Sequence, residues 1–129
     1  MPATSFDEYA RAITDRLHTI LHSGQARSLH LDVDQRSILQ GVISGQLTFE
    51  DHSELHFREF IDTSQREPKL SFAYHYQGAQ KALIFRYDNA AHRPSLLRHT
   101  HKHTPVNVID CPASTLAEVI DEVLKGLRS

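Results

Sequence analysis

Leu70-Ser-Phe-Ala-Tyr-His-Tyr-Gln-Gly-Ala-Gln-Lys-Ala-Leu-Ile-Phe-Arg-Tyr-Asp88 alternates apolar and polar residues in two runs, on either side of a short polar link. Leu70, Phe72, Tyr74 and Tyr76 share one parity in the first run, and Leu83, Phe85 and Tyr87 share one in the second. A period of two sends successive side chains to opposite faces of a strand, so each run has one apolar face and one polar face. With Gln77-Gly78-Ala79-Gln80 as the connection, the stretch predicts an antiparallel pair. Arg86 and Asp88 then project from the face opposite the core, and His75, between Tyr74 and Tyr76, joins them if the two strands pair.

The pattern extends upstream. Leu29, Leu31 and Val33 alternate with His30, Asp32 and Asp34, and a second apolar run follows from Ile38 to Ile43. Gly45-Gln46 predicts a turn, after which Leu47, Phe49, Leu55, Phe57 and Ile61 outline further strand, interrupted by the turn formers Asp51-His52-Ser53. The expectation is a meander of about five or six antiparallel strands. Helices enclose it in sequence. Ser5-Phe-Asp-Glu8 is a capping box that opens a helix with a stripe of Phe6, Tyr9, Ile13, Leu17, Ile20 and Leu21, closed at Gly24. Thr115-Leu-Ala-Glu118 is a second capping box, ahead of Leu116, Val119, Ile120, Val123, Leu124 and Leu127. The fold class is therefore α+β, a single domain over residues 1–129: N-terminal helix, antiparallel β-meander, C-terminal helix. Two helices on one face of such a sheet leave the other face for solvent or a ligand.

Composition narrows the function classes. A net charge of -2 in 129 residues argues against coating nucleic acid by bulk charge, so an anion site must come from local clustering. The single cysteine, Cys111, has no partner for an internal disulfide and reads as buried or a bystander. Asp7, Glu8, Arg11, Asp15 and Arg16 make the first twenty residues neither signal peptide nor membrane span, and the expected location is cytoplasmic. The unusual feature is ten histidines. Between Lys81 and Lys102 stand five Lys/Arg and one acid, Asp88, interleaved with His92, His99 and His101, with His103 next beyond. The segment from Asn89 to Ala113 has no regular pattern and is expected to form an exposed, His-rich loop, the kind of segment that often carries function.

Three chemistries suit this cluster. RNA carries its own 2′-hydroxyl nucleophile, so two imidazoles and a cation suffice to cleave it: one takes the 2′ proton, the other protonates the departing 5′ oxygen, and Arg86 or Lys102 holds the charge that builds on phosphorus. Alternatively, His99, His101 and His103 align three imidazoles on one side of an extended segment, a zinc or nickel site that Asp88 or His92 would complete. The histidines also suit a solvated loop bonded to its own carbonyls, and Arg86 with Asp88 equally suits a surface ion pair.

The ordered set Ser53-Glu-Leu-His-Phe-Arg-Glu-Phe-Ile-Asp62, Phe72-Ala-Tyr-His-Tyr-Gln77, Leu83-Ile-Phe-Arg-Tyr-Asp-Asn-Ala90 with His92, and His101-Lys-His103 resembles the TumE-like toxins of bacterial and archaeal type II toxin-antitoxin systems. The resemblance implies a small cytoplasmic toxin restrained by a cognate, DNA-binding antitoxin, with cellular RNA as the usual kind of target. Two departures stand out. Ala91 and Arg93 replace a proline and a second histidine around His92, and Arg98-His-Thr-His-Lys-His103 replaces Phe-Pro-His-His-Lys-His. Arg93 in place of a ligand weakens the metal reading and leaves the phosphate reading intact. The expected function is then a metal-independent endoribonuclease without a cofactor. His92, His101, His103, Arg86 and Lys102 form its catalytic set, and Asp88, Asn89, Tyr87, His75 and Arg93 contact the substrate. The expected partners are the antitoxin and RNA, with no membrane and with a homodimer among the expected assemblies. The alternative is a non-catalytic interaction or metal-binding module.

Overall fold

A computed structural model of the chain describes residues 5–66, 68–89, 100–112 and 114–128. Helix α1 (Phe6–His22) is followed by strands β1 (Ala26–Gln35), β2 (Gln40–Phe49), β3 (Glu54–Asp62), β4 (Lys69–Gln77), β5 (Leu83–Asp88), β6 (Thr100–His103) and β7 (Val108–Cys111), and helix α2 (Leu116–Arg128) ends the order. All seven strands form one antiparallel sheet in sequence order, a meander.

Both helices begin as their capping residues dictate. Ser5 Oγ accepts from the Glu8 amide at 3.2 Å, and at α2 Thr115 and Glu118 exchange bonds, backbone to side chain, at 2.9 and 3.1 Å. Gly24 takes φ +84° just past α1, a conformation that glycine adopts without a Cβ clash. The helices bury Phe6, Leu17, Ile20, Leu116, Val119, Ile120 and Val123 on one face of the sheet, against Ile43, Leu47, Leu55, Phe57, Tyr74 and Phe85. Each such side chain contributes roughly 1.5–3 kcal/mol through the apolar area it removes from water.

The sheet is longer than the sequence patterning predicts, with seven strands in place of about five or six. Two features depart from the patterning, the first lowering the strand count by one and the second raising it by two. Gly45-Gln46 is not a turn: β2 runs through it, with Gly45 opposite both Leu31 and Phe57. A Cβ on Gly45 would lie 2.3 Å from the His30 carbonyl oxygen and 2.8 Å from the Phe57 ring, so glycine is there for close approach. The second is that the segment expected to be a loop holds β6 and β7. Their hydrophobic signal is faint because Lys102 occupies the core-side position of β6 and β7 is exposed over Val108, Ile109 and Asp110.

One charge is built into the core. Glu59, 1% exposed, accepts from the Tyr9 hydroxyl at 2.6 Å and from the Tyr74 hydroxyl, which in turn accepts from Lys69 Nζ at 2.7 Å. Burial first, then Glu59, pushes both tyrosine hydroxyls far above their ordinary values, so they stay protonated as donors.

Candidate functional site: the open face of the sheet

Residues opposite one another across antiparallel strands share a face, so the register assigns the polar face row by row. One row runs His30, Gln46, His56, His75, Arg86, His103. The next runs Asp32, Ser44, Arg58, Ala73, Asp88, His101, Asp110. Both helices pack on the other face, so these two rows form the middle of the open surface of the sheet.

Side-chain bonds knit the centre of that surface. Arg86 Nε donates to Asp88 Oδ2 at 2.9 Å, and His103 Nε2 stands 3.5 Å from the same oxygen. On its other side Arg86 reaches His75 Nδ1 at 3.4 Å, and His75 Nε2 lies 3.0 Å from Gln77 Oε1. These partners fit one state of His75: a neutral ring that donates from Nε2 and offers the Nδ1 lone pair to the guanidinium. Burial, followed by the charges of Arg86 and His56, holds this imidazole below the usual histidine range against the Gln77 bond, which works the other way. Gln77 Nε2 continues the chain to Glu54 Oε1 at 2.9 Å, and Lys81 holds Glu54 Oε2 at 2.8 Å. Glu54 is pushed down to about 2 by the bonds from Lys81 and His56, which outweigh its partial burial.

Histidines stand in two pairs on either side of Arg86. The His56 and His75 ring centroids are 6.3 Å apart, and those of His101 and His103 are 6.2 Å apart. His101 Nε2 is 3.4 Å from Asp110 Oδ1 on the edge strand. Along the second row, on the side toward Ser71 and Asn89, lies a 160 Å³ cleft lined by Arg58, Ser71, Phe72, Ala73, Arg86, Asp88 and Asn89.

The structure thus brings together His75, Arg86, Asp88, His101 and His103. It separates two other candidates from them. Lys102 and Tyr87 face the helices: Lys102 Nζ binds Glu122 Oε2 at 2.7 Å, and the Tyr87 hydroxyl donates to Glu122 Oε1 at 2.6 Å. They tie α2 to β5 and β6, so of the two cations expected to hold phosphate charge only Arg86 shares a face with the histidines. Tyr87 packs its ring in the core, where no base can stack on it. Asn89 is 8% exposed and braces β4, accepting from the Phe72 amide at 2.9 Å and donating to the Leu70 carbonyl at 3.0 Å, while one side of it lines the cleft. His92, Arg93 and His99 lie outside the described residues. Among the described residues, no three of His, Cys, Asp and Glu converge where they would hold a metal ion.

His56 and Arg58 also stand on the open face, although the sequence patterning gave them no role. The alternation that places His75 places them too, since Leu55 and Phe57 mark the core parity of their strand. Their signal is masked by the acidic character of the segment from Glu50 to Glu67.

A seven-stranded meander covered by helices on one face, with paired histidines around an arginine on the other, is the class of architecture. The chain belongs to the toxin TumE family, whose model matches residues 11–129. Comparison of the chain with curated proteins and with solved structures gave no match. Among the described residues no helix is long and apolar enough to cross a membrane.

Proposed function

We propose that this toxin acts as an endoribonuclease and that the open face is its active surface. The observation that carries the reading is the line His75, Arg86, Asp88, His103, with imidazoles on both sides of one guanidinium. A neutral histidine, such as His75 in its bonded state, is competent to accept the 2′-hydroxyl proton when substrate displaces Arg86 from its Nδ1. The 2′ oxygen attacks phosphorus, the P–O5′ bond breaks, and an imidazolium of the other pair, His101 or His103, delivers its proton to the 5′ oxygen. A 2′,3′-cyclic phosphate and a 5′-hydroxyl result. Arg86 neutralises the charge gathering on the phosphorus oxygens in place of a metal ion. His92, in the segment between β5 and β6, remains a candidate for either proton-transfer role. Cytoplasmic action against cellular RNA and restraint by a DNA-binding antitoxin belong to the same proposal and rest on family membership.

Purified protein incubated with a fluorescent RNA in the presence of a chelator tests this reading. Cleavage that leaves a 2′,3′-cyclic phosphate, and that stops when the nucleotide 5′ to the cut is 2′-deoxy, is expected. Cleavage that needs added zinc or nickel, or that persists on the 2′-deoxy substrate, contradicts it. Stoichiometric metal without any cleavage would favour a metal-binding module instead.

A further inference from the structure

Along the centre of the open face the charged side chains stand beside partners, and Arg58 is the exception. Arg86 is bound by Asp88, Glu54 by Lys81, and His101 and His103 stand beside carboxylates. Arg58 is exposed and, among the described residues, has neither hydrogen-bond nor ion-pair partner, although it sits in the middle of the sheet. Its neighbour across β4 is Ala73, the small residue of that row, followed by Asp88. Arg86 sits two residues along β5 from Asp88, so with strands about 4.8 Å and successive residues about 3.4 Å apart, the Arg58 and Arg86 backbones stand roughly 12 Å apart, diagonally across Ala73. The space above Ala73 is the 160 Å³ cleft, and both guanidiniums line it. Asp88 also lines it, but Arg86 Nε occupies one of its oxygens and His103 stands beside the same one.

We infer that the cleft over Ala73 is a subsite for a phosphate of single-stranded RNA, gripped by Arg58 from one side and Arg86 from the other, and that it takes a phosphate flanking the scissile one. The inference rests on the ribonuclease reading for the identity of the ligand. Its geometry follows from residue size. A tetrahedral anion over Ala73 has room to receive paired N–H bonds from the Arg58 fork, the arrangement in which arginine surpasses lysine. Arg86 adds a bond from Nη2, since its Nε is held by Asp88 and its Nη1, which faces His75, is left for the scissile phosphate. His101 lies two strands beyond Ala73 in the same row, so a phosphate in the cleft is displaced from the imidazole pair by about 10 Å. That offset makes Arg58 a substrate-binding residue and leaves proton transfer to the histidines.

The test uses the full-length protein and a 12-nucleotide 2′-O-methyl RNA, which has no 2′-hydroxyl to attack and reports binding alone. Binding is followed by fluorescence anisotropy over a salt series for the wild type, Arg58→Gln and Ala73→Val, with the melting temperature of each. Arg58→Gln is expected to weaken binding about tenfold at low salt and to flatten the plot of log K against log salt by about 0.7, one single-strand phosphate contact. Ala73→Val, which fills the cleft floor with a residue that strands accept readily, is expected to weaken binding to a similar degree with folding intact. On cleavable RNA, Arg58→Gln should raise KM and leave kcat within about threefold, as for an interaction made equally in ground and transition states. Wild-type affinity and salt slope in both variants would remove the subsite, even if the protein cleaves RNA. Weakened binding by both variants of a protein that never cleaves RNA would keep the subsite and remove the acid/base reading.

Discussion

Arg86 and Asp88, two residues apart on β5, are joined Nε to Oδ2 at 2.9 Å, and the pair stands between the two sets of histidines on the open face. Asp88 is 6% exposed, so this is no loose surface pair. The carboxylate fixes the direction of the guanidinium while its remaining N–H groups stay available toward His75 and the cleft. Replacing Asp88 by alanine removes the anchor and leaves a cation beside His75 and His103. The expected cost is about 1–3 kcal/mol of stability in urea unfolding, with RNA binding altered as well. An unchanged unfolding midpoint would mean that the pair only decorates the surface.

Acid should weaken the fold in two separable windows. The folded state holds His75 below the usual histidine value, so the unfolded chain takes up this proton first as pH falls. Stability therefore falls from about pH 6.5 downward until the depressed folded value is reached, and His75→Gln should flatten that part of the curve. Glu54, held at about 2 against an ordinary 4.5, contributes stability that is complete above 4.5 and lost as pH falls toward 2. Melting temperatures from pH 3 to pH 8 for wild type, His75→Gln and Glu54→Gln check both windows. A His75→Gln curve parallel to wild type between pH 5 and 7 would contradict the first.

Removing one hydroxyl from the core network should be expensive. Tyr74→Phe deprives Glu59 of one of its two tyrosine donors and Lys69 of one of its acceptors, the other being the Ser114 carbonyl, at a carboxylate 1% exposed. Bonds to a charged group in such a place are worth about 1.5–3 kcal/mol, so a loss of that size is expected in denaturant unfolding. A midpoint equal to wild type would show that the carboxylate is satisfied by other means.

Gly45→Ala should destabilise through backbone contact. The added methyl meets the His30 carbonyl, which is held in the β1–β2 ladder and cannot swing aside as a side-chain end would. A loss of about 1–3 kcal/mol is expected, as for overpacking of a filled interior. At Gly24, where φ is +84° and a methyl would meet no heavy atom within 4 Å, the same substitution should cost stability through strain alone and by less.

An antitoxin is expected to cover the surface between Arg86 and His103, because an acidic segment over a cationic site is the simplest way to silence it. Footprinting of the complex by hydrogen exchange would show protection of β5 and β6. A complex that leaves both strands as exposed as in the free protein would contradict the masking.

Much of this surface is legible in the sequence. Alternation along Leu70–Tyr87 fixes both the core face and the placement of His75, Arg86 and Asp88 opposite it, and the capping residues at Ser5 and Thr115 locate both helices. The parts that are not legible have physical causes. Gly45 resembles a turn residue because sequence does not distinguish a glycine that bends the chain from one that admits a neighbour. Strand β6 is hidden because Lys102, a charged residue, lies on the core side with its ammonium 5.2 and 5.1 Å from the centres of the Phe85 and Tyr87 rings, so His101-Lys-His103 looks uniformly polar. Alternation on β3 puts Arg58 on the open face, but its neighbours there, Ala73 and Asp88 on other strands, are supplied only by the register.

The most direct test of the central claim is the cleavage rate of purified protein on a single RNA, compared across His101→Ala, His103→Ala, His92→Ala and His99→Ala with the melting temperature of each. Losing a proton donor or acceptor costs on the order of 10²- to 10⁴-fold, so falls of that size are expected for at least one of His101 and His103 and for His92 if it takes part, with His99→Ala close to wild type. Wild-type rates in both the His101 and His103 variants would contradict acid/base catalysis on the open face.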